Sequence, residues 1–169
     1  MKPFVISLLA ITVLAGSVFA DDTKRAVVPG TDDIIRYVAA RATPGGQITL
    51  RDASGRTVGT ASTVGTQTTF RDGSGRTTGS ATIAGNGTVF RDASGRTLGT
   101  ATTSGSQTTT FRDAAGRTQR SASESNGHTT FRDAGGRTTC TVQSIGSSAT
   151  VRDASGRTLG TSSTTGTKR

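Results

Sequence analysis

The segment TVFRDASGRTLGTA, residues 88–101, carries the pattern that sets the fold. An aromatic residue, Phe90, stands directly before the core RDASGR, residues 91–96, and threonines lie on both sides. An Asp followed by two small residues and a Gly that tolerates a left-handed backbone is typical of a three-residue hairpin loop with a bulge. The segment therefore predicts a β-hairpin whose loop is Ala93-Ser94-Gly95.

Counting outward from this loop assigns the flanking residues to two faces. Four facing pairs are expected: Asp92 with Arg96, Arg91 with Thr97, Phe90 with Leu98, and Thr88 with Thr100. Because side chains alternate along a strand, Phe90 and Leu98 should share a face with the Asp92 and Arg96 pair. On the other face we expect Arg91, Thr97 and Ala101.

The same core occurs six times, at spacings of 20, 20, 21, 20 and 20 residues. One large apolar residue precedes each copy: Leu50, Phe70, Phe90, Phe111, Phe131 and Val151. Stacked repeats require such a fixed register, whereas disordered tracts seldom keep one. With 31% hydrophobic residues, 4% aromatic residues and 23 glycines, the chain must gain its order from repetition rather than from a thick core.

Most constant residues of the core have structural roles in this interpretation. The Gly permits the turn, the Asp clamps it together with the second Arg, and the aromatic residue is the buried anchor. The structural residues are Phe70, Phe90, Phe111 and Phe131; Asp52, Asp72, Asp92, Asp113, Asp133 and Asp153; and Gly55, Gly75, Gly95, Gly116, Gly136 and Gly156.

The first Arg of each core is different, because it points away from the anchor face. Six such arginines form a column that is the candidate ligand-binding surface: Arg51, Arg71, Arg91, Arg112, Arg132 and Arg152. Guanidinium groups select anionic partners.

One anchor per hairpin cannot support an isolated unit. Burying a Phe contributes about 1.5–3 kcal/mol, while ordering each residue costs about 1–2 kcal/mol. Neighbouring copies must therefore pack on one another. We expect an all-β fold of six tandem hairpins, an antiparallel meander that rolls into a barrel-like or flower-like ring. A β-solenoid with one rung per repeat is the alternative.

The first 20 residues have the pattern of a signal peptide. Lys2 precedes an apolar stretch from Phe4 to Val18, and cleavage is predicted between Ala20 and Asp21. No further hydrophobic stretch follows, so no transmembrane anchor is expected. The predicted location of the mature protein is the periplasm or the cell exterior.

Two further segments follow the leader. Residues 21–46 form an N-terminal segment with a short helix over residues 32–41, which either caps the repeat array or hangs from it as a tail. The remaining residues, 47–169, form the domain of six repeats.

The charge of the chain indicates an anionic partner. Removal of Lys2 with the leader lowers the net charge from +9 to +8, and each core contributes two Arg and one Asp. An anionic polysaccharide or an envelope protein would fit. Alternatively, the charge only keeps a Thr-rich surface soluble and its edges unpaired. No nucleic-acid partner is expected, because no aromatic stacking platform accompanies the arginines.

Catalysis has little support in the sequence. His128 is the only histidine and no residue is implied as its partner, so we expect neither an enzyme nor a cofactor or metal site. Cys140 is the only cysteine, at a position where four other repeats have Gly59, Gly79, Gly99 and Gly160. We interpret Cys140 as repeat drift, with pairing between two chains as the alternative.

An aromatic residue followed by Asp-x-x-Gly-Arg at a period near 20 resembles the tyrosine-aspartate (YD) repeats of Rhs and teneurin-like proteins. The resemblance covers residues 50–163. It implies the hairpin at Asp92, Gly95, Arg96 and matching positions. Those families wind many hairpins into an enclosing shell, or bind carbohydrate at cell surfaces. Six copies are too few for a shell, and an Arg replaces the aromatic residue next to Asp.

Three hypotheses for function follow. The first is an exported, non-catalytic module that binds an anionic envelope or extracellular polymer. The second is an architectural protein that assembles with itself or with an envelope partner. The third is an ice-binding-like array of hydroxyls from the segments at residues 60–62, 80–82, 100–102 and 121–123, if the repeats stack as solenoid rungs.

Overall fold

A computed structural model of the chain describes residues 46–105 and 107–165. These residues form twelve β-strands, all joined by short turns. The strands are β1 Gln47–Asp52, β2 Thr57–Val64, β3 Gln67–Asp72, β4 Thr77–Ala84, β5 Gly87–Asp92, β6 Thr97–Ser104, β7 Thr108–Asp113, β8 Thr118–Ser125, β9 His128–Asp133, β10 Thr138–Ile145, β11 Ser148–Asp153 and β12 Thr158–Thr165.

The twelve strands form one antiparallel meander that closes into a barrel, with β1 paired to β12. The all-β antiparallel ring is thereby confirmed, and the β-solenoid alternative is wrong. Each strand pairs with its neighbours in sequence because tight turns join antiparallel strands directly, whereas a parallel rung needs a longer crossover. Closure also removes both sheet edges, which would otherwise expose unpaired amides. The predicted signal peptide and the predicted helix at residues 32–41 lie outside the described residues.

The register between hairpins is the same all the way round the barrel. In every case the first Arg of one core pairs with a Thr or Ser of the preceding hairpin, and the closing contact follows the same rule. The pairs are Thr60 with Arg71, Ser80 with Arg91, Thr100 with Arg112, Ser121 with Arg132, Thr141 with Arg152, and Thr161 with Arg51. The six hairpins are therefore related by an approximate six-fold rotation about the barrel axis.

Inside each hairpin the register differs from the expected one. Arg91 pairs with Thr97 as predicted, but Phe90 pairs with Gly99, and Leu98 is left over as a β-bulge. The predicted pairs of Phe90 with Leu98 and Thr88 with Thr100 are wrong. A bulge reverses the alternation of side chains beyond it, so Ala101 is buried on the anchor face instead of pointing outward.

In four of the six hairpins a glycine stands opposite the anchor: Gly59, Gly79, Gly99 and Gly160. A Cβ atom on Gly59 would lie 2.6 Å from the carbonyl oxygen of Arg71 on the next hairpin, and 3.7 Å from the side chain of Leu50. The absence of a side chain lets the two strands approach and leaves room for the anchor. The same bulge occurs where Arg120 faces Phe111 and where Cys140 faces Phe131, so the bulge itself does not require the glycine.

The core lies inside the barrel, at the level of the anchors. All six large apolar residues that precede the cores are buried, and the rings of Phe111 and Phe131 lie 6.1 Å apart. Small residues from the even-numbered strands fill the space between them: Ala61, Ala81, Ala101, Ala122, Val142 and Ser162. Eight-stranded barrels are filled by ordinary side chains, while sixteen strands leave a channel. Twelve strands therefore need large inward residues.

On the side of the anchors away from the RDASGR turns, the lumen contains threonine side chains that form hydrogen bonds with one another. The hydroxyl groups of Thr63 and Thr68, both buried, lie 2.8 Å apart. Those of Thr103 and Thr109 lie 3.0 Å apart. Such pairing removes the cost of burying a hydroxyl group, so Thr can serve as an interior residue here.

Substitution of Phe131 by Ala tests the role of the anchors. Phe131 is fully buried at 0% exposure, so the free energy of unfolding should fall by about 3–5 kcal/mol in a urea titration. Val64 is 79% exposed, and Val64→Ala should change it by less than about 0.5 kcal/mol. Equal losses for the two variants would contradict an anchor-filled lumen.

Candidate functional site

The six turns are built around the Asp of each core. In the first core the Oδ1 atom of Asp52 accepts hydrogen bonds from the amides of Ser54 and Arg56, both at 2.9 Å, and from the Ser54 hydroxyl at 2.6 Å. Gly55 has a φ of 82° and donates its amide to the carbonyl of Asp52. A left-handed residue is needed there, which accounts for the Gly.

This arrangement recurs in every turn. The Asp carboxylate accepts the amide of the second Arg in all six cores, at 2.9–3.0 Å; the donors are Arg56, Arg76, Arg96, Arg117, Arg137 and Arg157. Each carboxylate thus binds the peptide chain of its own turn. The turn is therefore stabilised by the hydrogen bond from the main-chain amide of the second Arg to the Asp carboxylate.

These bonds shift the titration of the carboxylates. In Asp52, Asp72, Asp92 and Asp153 the hydroxyl of the turn Ser, followed by main-chain amides, lowers the pKa below the ordinary value of 3.8. In Asp113, whose turn has Ala115 in place of Ser, the amide of Arg117 lowers the pKa most. Partial desolvation opposes the shift at all five.

The side chain of the second Arg contributes little to this clamp. It forms an ion pair with the Asp in three turns: Arg96 with Asp92 at 3.4 Å, Arg117 with Asp113 at 2.8 Å, and Arg157 with Asp153 at 3.3 Å. These guanidinium groups are 70–84% exposed, and exposed pairs contribute at most about 1 kcal/mol. The side chain of the second Arg is therefore an exposed cation. From the sequence alone, its predicted role is only to stabilise the turn together with the Asp.

In five of the six cores the first Arg also reaches the tip of its hairpin. Its Nη1 atom donates to the carbonyl of the turn Gly, at 2.9 Å for Arg51 and 3.2 Å for Arg71, Arg91, Arg112 and Arg132. All six first arginines are exposed on the outer wall. The bond holds the guanidinium beside the Gly-Arg peptide, so two cations flank each turn.

Antiparallel topology gathers these cations at one end of the barrel. Every turn that contains a core joins an odd-numbered strand to the next even-numbered one, so all six turns lie at the same end. We call the exposed arginines of this end the arginine rim: Arg51, Arg56, Arg71, Arg76, Arg91, Arg96, Arg112, Arg117, Arg132, Arg137, Arg152 and Arg157. The six first arginines form a ring around the barrel, not a column.

The two ends of the barrel differ in charge. The rim combines twelve arginines with six aspartates whose carboxylates are turned toward their own turns. Among the described residues of the opposite end, only Glu124 and His128 are titratable. Neighbouring turns are two strands apart, which is roughly 10 Å, close to the Debye length in physiological salt. Their potentials therefore add.

A further cation lies inside the lumen near the rim. Arg120 occupies the position at which four other hairpins have Gly, and it is only 9% exposed. It pairs in register with Phe111 and Asp133, and its charge acts on Cys140, the next residue at this level. Sequence reasoning missed Arg120, although alignment of the six copies places it in the same Gly position as Cys140.

The remaining reactive side chains do not form a site. Exposed His128 begins β9 at the end opposite the rim, and its register partners are Ser125 and Gln143. Within residues 46–105 and 107–165 no group of three or more metal-ligating side chains comes together. In the same residues no helix is long and apolar enough to cross a membrane.

Comparison with protein-family models, with curated proteins and with solved structures finds no match to this chain. The candidate site is therefore defined by its geometry alone.

The lowered pKa of five turn aspartates, Asp52, Asp72, Asp92, Asp113 and Asp153, predicts acid sensitivity. A carboxylate whose pKa is lower in the folded than in the unfolded state stabilises the fold above the unfolded value and loses that effect as pH falls through the folded value. The free energy of unfolding should be constant from about pH 7 to about pH 5 and then decrease below about pH 4. In Asp92→Asn the decrease should be smaller. If the free energy of unfolding of Asp92→Asn decreased at low pH as much as that of the parent protein, the turn aspartates would not be the source of the acid sensitivity.

Cys140 should be unreactive in the folded protein. It is 4% exposed, and burial raises the pKa of its thiol, against the opposing charge of Arg120. Reaction with Ellman's reagent should be at least about a hundredfold slower in native buffer than in denaturant, since the thiolate is the reactive form. Rapid labelling, or a disulfide-linked dimer on a non-reducing gel, would contradict the buried position.

Proposed function

We propose that this protein is a non-catalytic binding module whose arginine rim attaches to an anionic polymer of the cell envelope or the extracellular space. The observation that carries the proposal is the collection of twelve exposed arginines at one end of a closed barrel. Arginine is suited to this task because its planar donor fork matches phosphate, sulfate and carboxylate groups.

Two structural features support an anion as the partner. Five of the six first arginines are already oriented by a bond to the turn Gly, so less side-chain freedom is lost on binding. Each Asp accepts amides of its own turn, so its charge is turned toward the main chain and is less exposed than the arginines beside it. The rim therefore presents cations outward with the compensating charge behind them.

The biological setting belongs to the same proposal. The signal-peptide pattern of residues 1–20, with cleavage between Ala20 and Asp21, supports export to the periplasm or beyond. The YD-repeat resemblance stays a prediction at the level of the single hairpin. Carbohydrate binding, known for some members of those families, is compatible with an acidic glycan as the partner.

A second candidate function is self-association through the opposite end of the barrel. Val64 and Ile145 are the large hydrophobic residues that lie exposed among the described residues, at 79% and 69%, and both end even-numbered strands away from the rim. Contact between two rims is disfavoured by like charge. An assembly of this kind would be insensitive to salt, which separates it from binding through the rim.

The ice-binding alternative loses its geometric basis. It required flat rungs of hydroxyls, but Ala61, Ala81, Ala101 and Ala122, the middle residues of the segments concerned, point into the barrel. The hydroxyl groups beside them lie on a curved outer wall. Thr is also favoured in strands for reasons of local structure.

Salt dependence of polymer binding tests the proposal. The mature protein should bind dextran sulfate, and affinity should fall steeply from about 0.05 M to about 0.5 M NaCl because the charges become screened. Replacing all six first arginines by Gln should weaken binding at least about a hundredfold, since each basic side chain near an anionic surface contributes about 1 kcal/mol.

Two controls separate charge from structure. Replacing the same six arginines by Lys keeps the charge and should preserve most of the salt-dependent binding, with circular dichroism confirming that both variants fold. Uncharged dextran should not bind. Equal affinity for dextran and dextran sulfate, or no loss in the Gln variant, would refute the proposal.

A further inference from the structure

The arginine rim is planar as well as basic. The same register relates all six hairpins, including across the contact between β12 and β1. Hairpins related by rotation about one axis carry their tips at one height. The six turns therefore end in a common plane at right angles to the barrel axis.

This plane has no large apolar side chains that could enter an apolar phase. Between its two arginines each tip carries an Asp and three small residues, Ala, Ser or Gly, and the exposed large hydrophobic residues Val64 and Ile145 lie at the opposite end. Gly46, before β1, and Thr165, at the end of β12, lie at that opposite end too. The rim thus offers a flat, purely electrostatic contact surface.

A linear chain and a flat layer use such a ring differently. A linear polymer lies along an arc or across a chord, so it meets two or three neighbouring turns at a time. A layer of fixed anions meets all six turns at once. Because contributions from separate cations accumulate, the layer is the partner that uses the ring most completely.

We propose that the rim docks face-on against the phosphate headgroup layer of an anionic lipid membrane. This inference rests on the proposed function, because it requires the rim to bind anions, and it adds the form in which those anions are presented. Guanidinium groups bind phosphate oxygens in a bidentate manner. With no large apolar residue at the tips, the contact is peripheral and fully reversible by salt.

Two matched variants of the mature chain test the docking mode. One loses both arginines of three neighbouring hairpins: R51Q, R56Q, R71Q, R76Q, R91Q and R96Q. The other loses both arginines of three alternate hairpins: R51Q, R56Q, R91Q, R96Q, R132Q and R137Q. Each variant loses three bonds to a turn Gly and one ion pair, that of Arg96 with Asp92. Their folding is compared by circular dichroism and thermal melting.

Binding is measured to vesicles of phosphatidylglycerol in phosphatidylcholine and, in parallel, to soluble dextran sulfate. On vesicles both variants should bind about a hundredfold more weakly than the parent and equally to each other within about twofold, because a flat layer depends on the number of arginines and not on their order. On dextran sulfate the neighbouring-hairpin variant, which keeps an intact arc of three turns, should bind more tightly than the alternate one.

Each other result has a defined meaning. Tighter vesicle binding by the neighbouring-hairpin variant would overturn face-on docking, because it would show recognition by an arc. Dextran sulfate binding without vesicle binding would also overturn it, and would leave the proposed function intact with a linear polymer as ligand. Failure of the parent protein to bind either probe would overturn both.

Discussion

The structure depends on a single constraint, which is that one hairpin of this sequence buries only one or two large apolar residues. A lone Phe cannot offset the entropy of ordering some twenty residues, so no hairpin is stable until its neighbours supply contacts. An open row of hairpins would leave two of them half-packed and two strand edges unpaired. Closure of the ring gives every hairpin two neighbours and pairs both strand edges. Anchors such as Phe70 and Phe131 are then buried in the lumen.

The same constraint explains how the polar residues are distributed. With the lumen filled at the anchor level, the turns at one end must be stabilised locally, and the carboxylate of Asp52 does so by accepting two amides and a hydroxyl. Engaging the acids in this way leaves the arginines beside them outward and in excess. A charged surface at one end is thus a consequence of how the turns are built, and repetition multiplies it by six.

Much of this could be predicted from the sequence, because it depends on local chemistry. Gly95 in a left-handed turn, Phe90 as a buried anchor and Arg91 on the outer face all follow from turn preferences and side-chain alternation. The bulge at Leu98 could not be predicted, because turn preferences and side-chain alternation do not specify where one strand skips a residue. Asp92 contacts Arg96 as predicted, but the Arg96 amide, at 2.9 Å, is closer to the carboxylate than the Arg96 guanidinium, at 3.4 Å.

Hydrogen exchange at the two strands that close the barrel tests the central claim most directly. If β1 and β12 are paired as the other strands are, their inward-facing segments should exchange as slowly as those of β5 and β6, because exchange then needs global opening. Equal protection of the inward-facing segments of all twelve strands, from β1 to β12, is the predicted result. Rapid exchange confined to β1 and β12, with protection in the middle strands, would show an open array and contradict the closed ring.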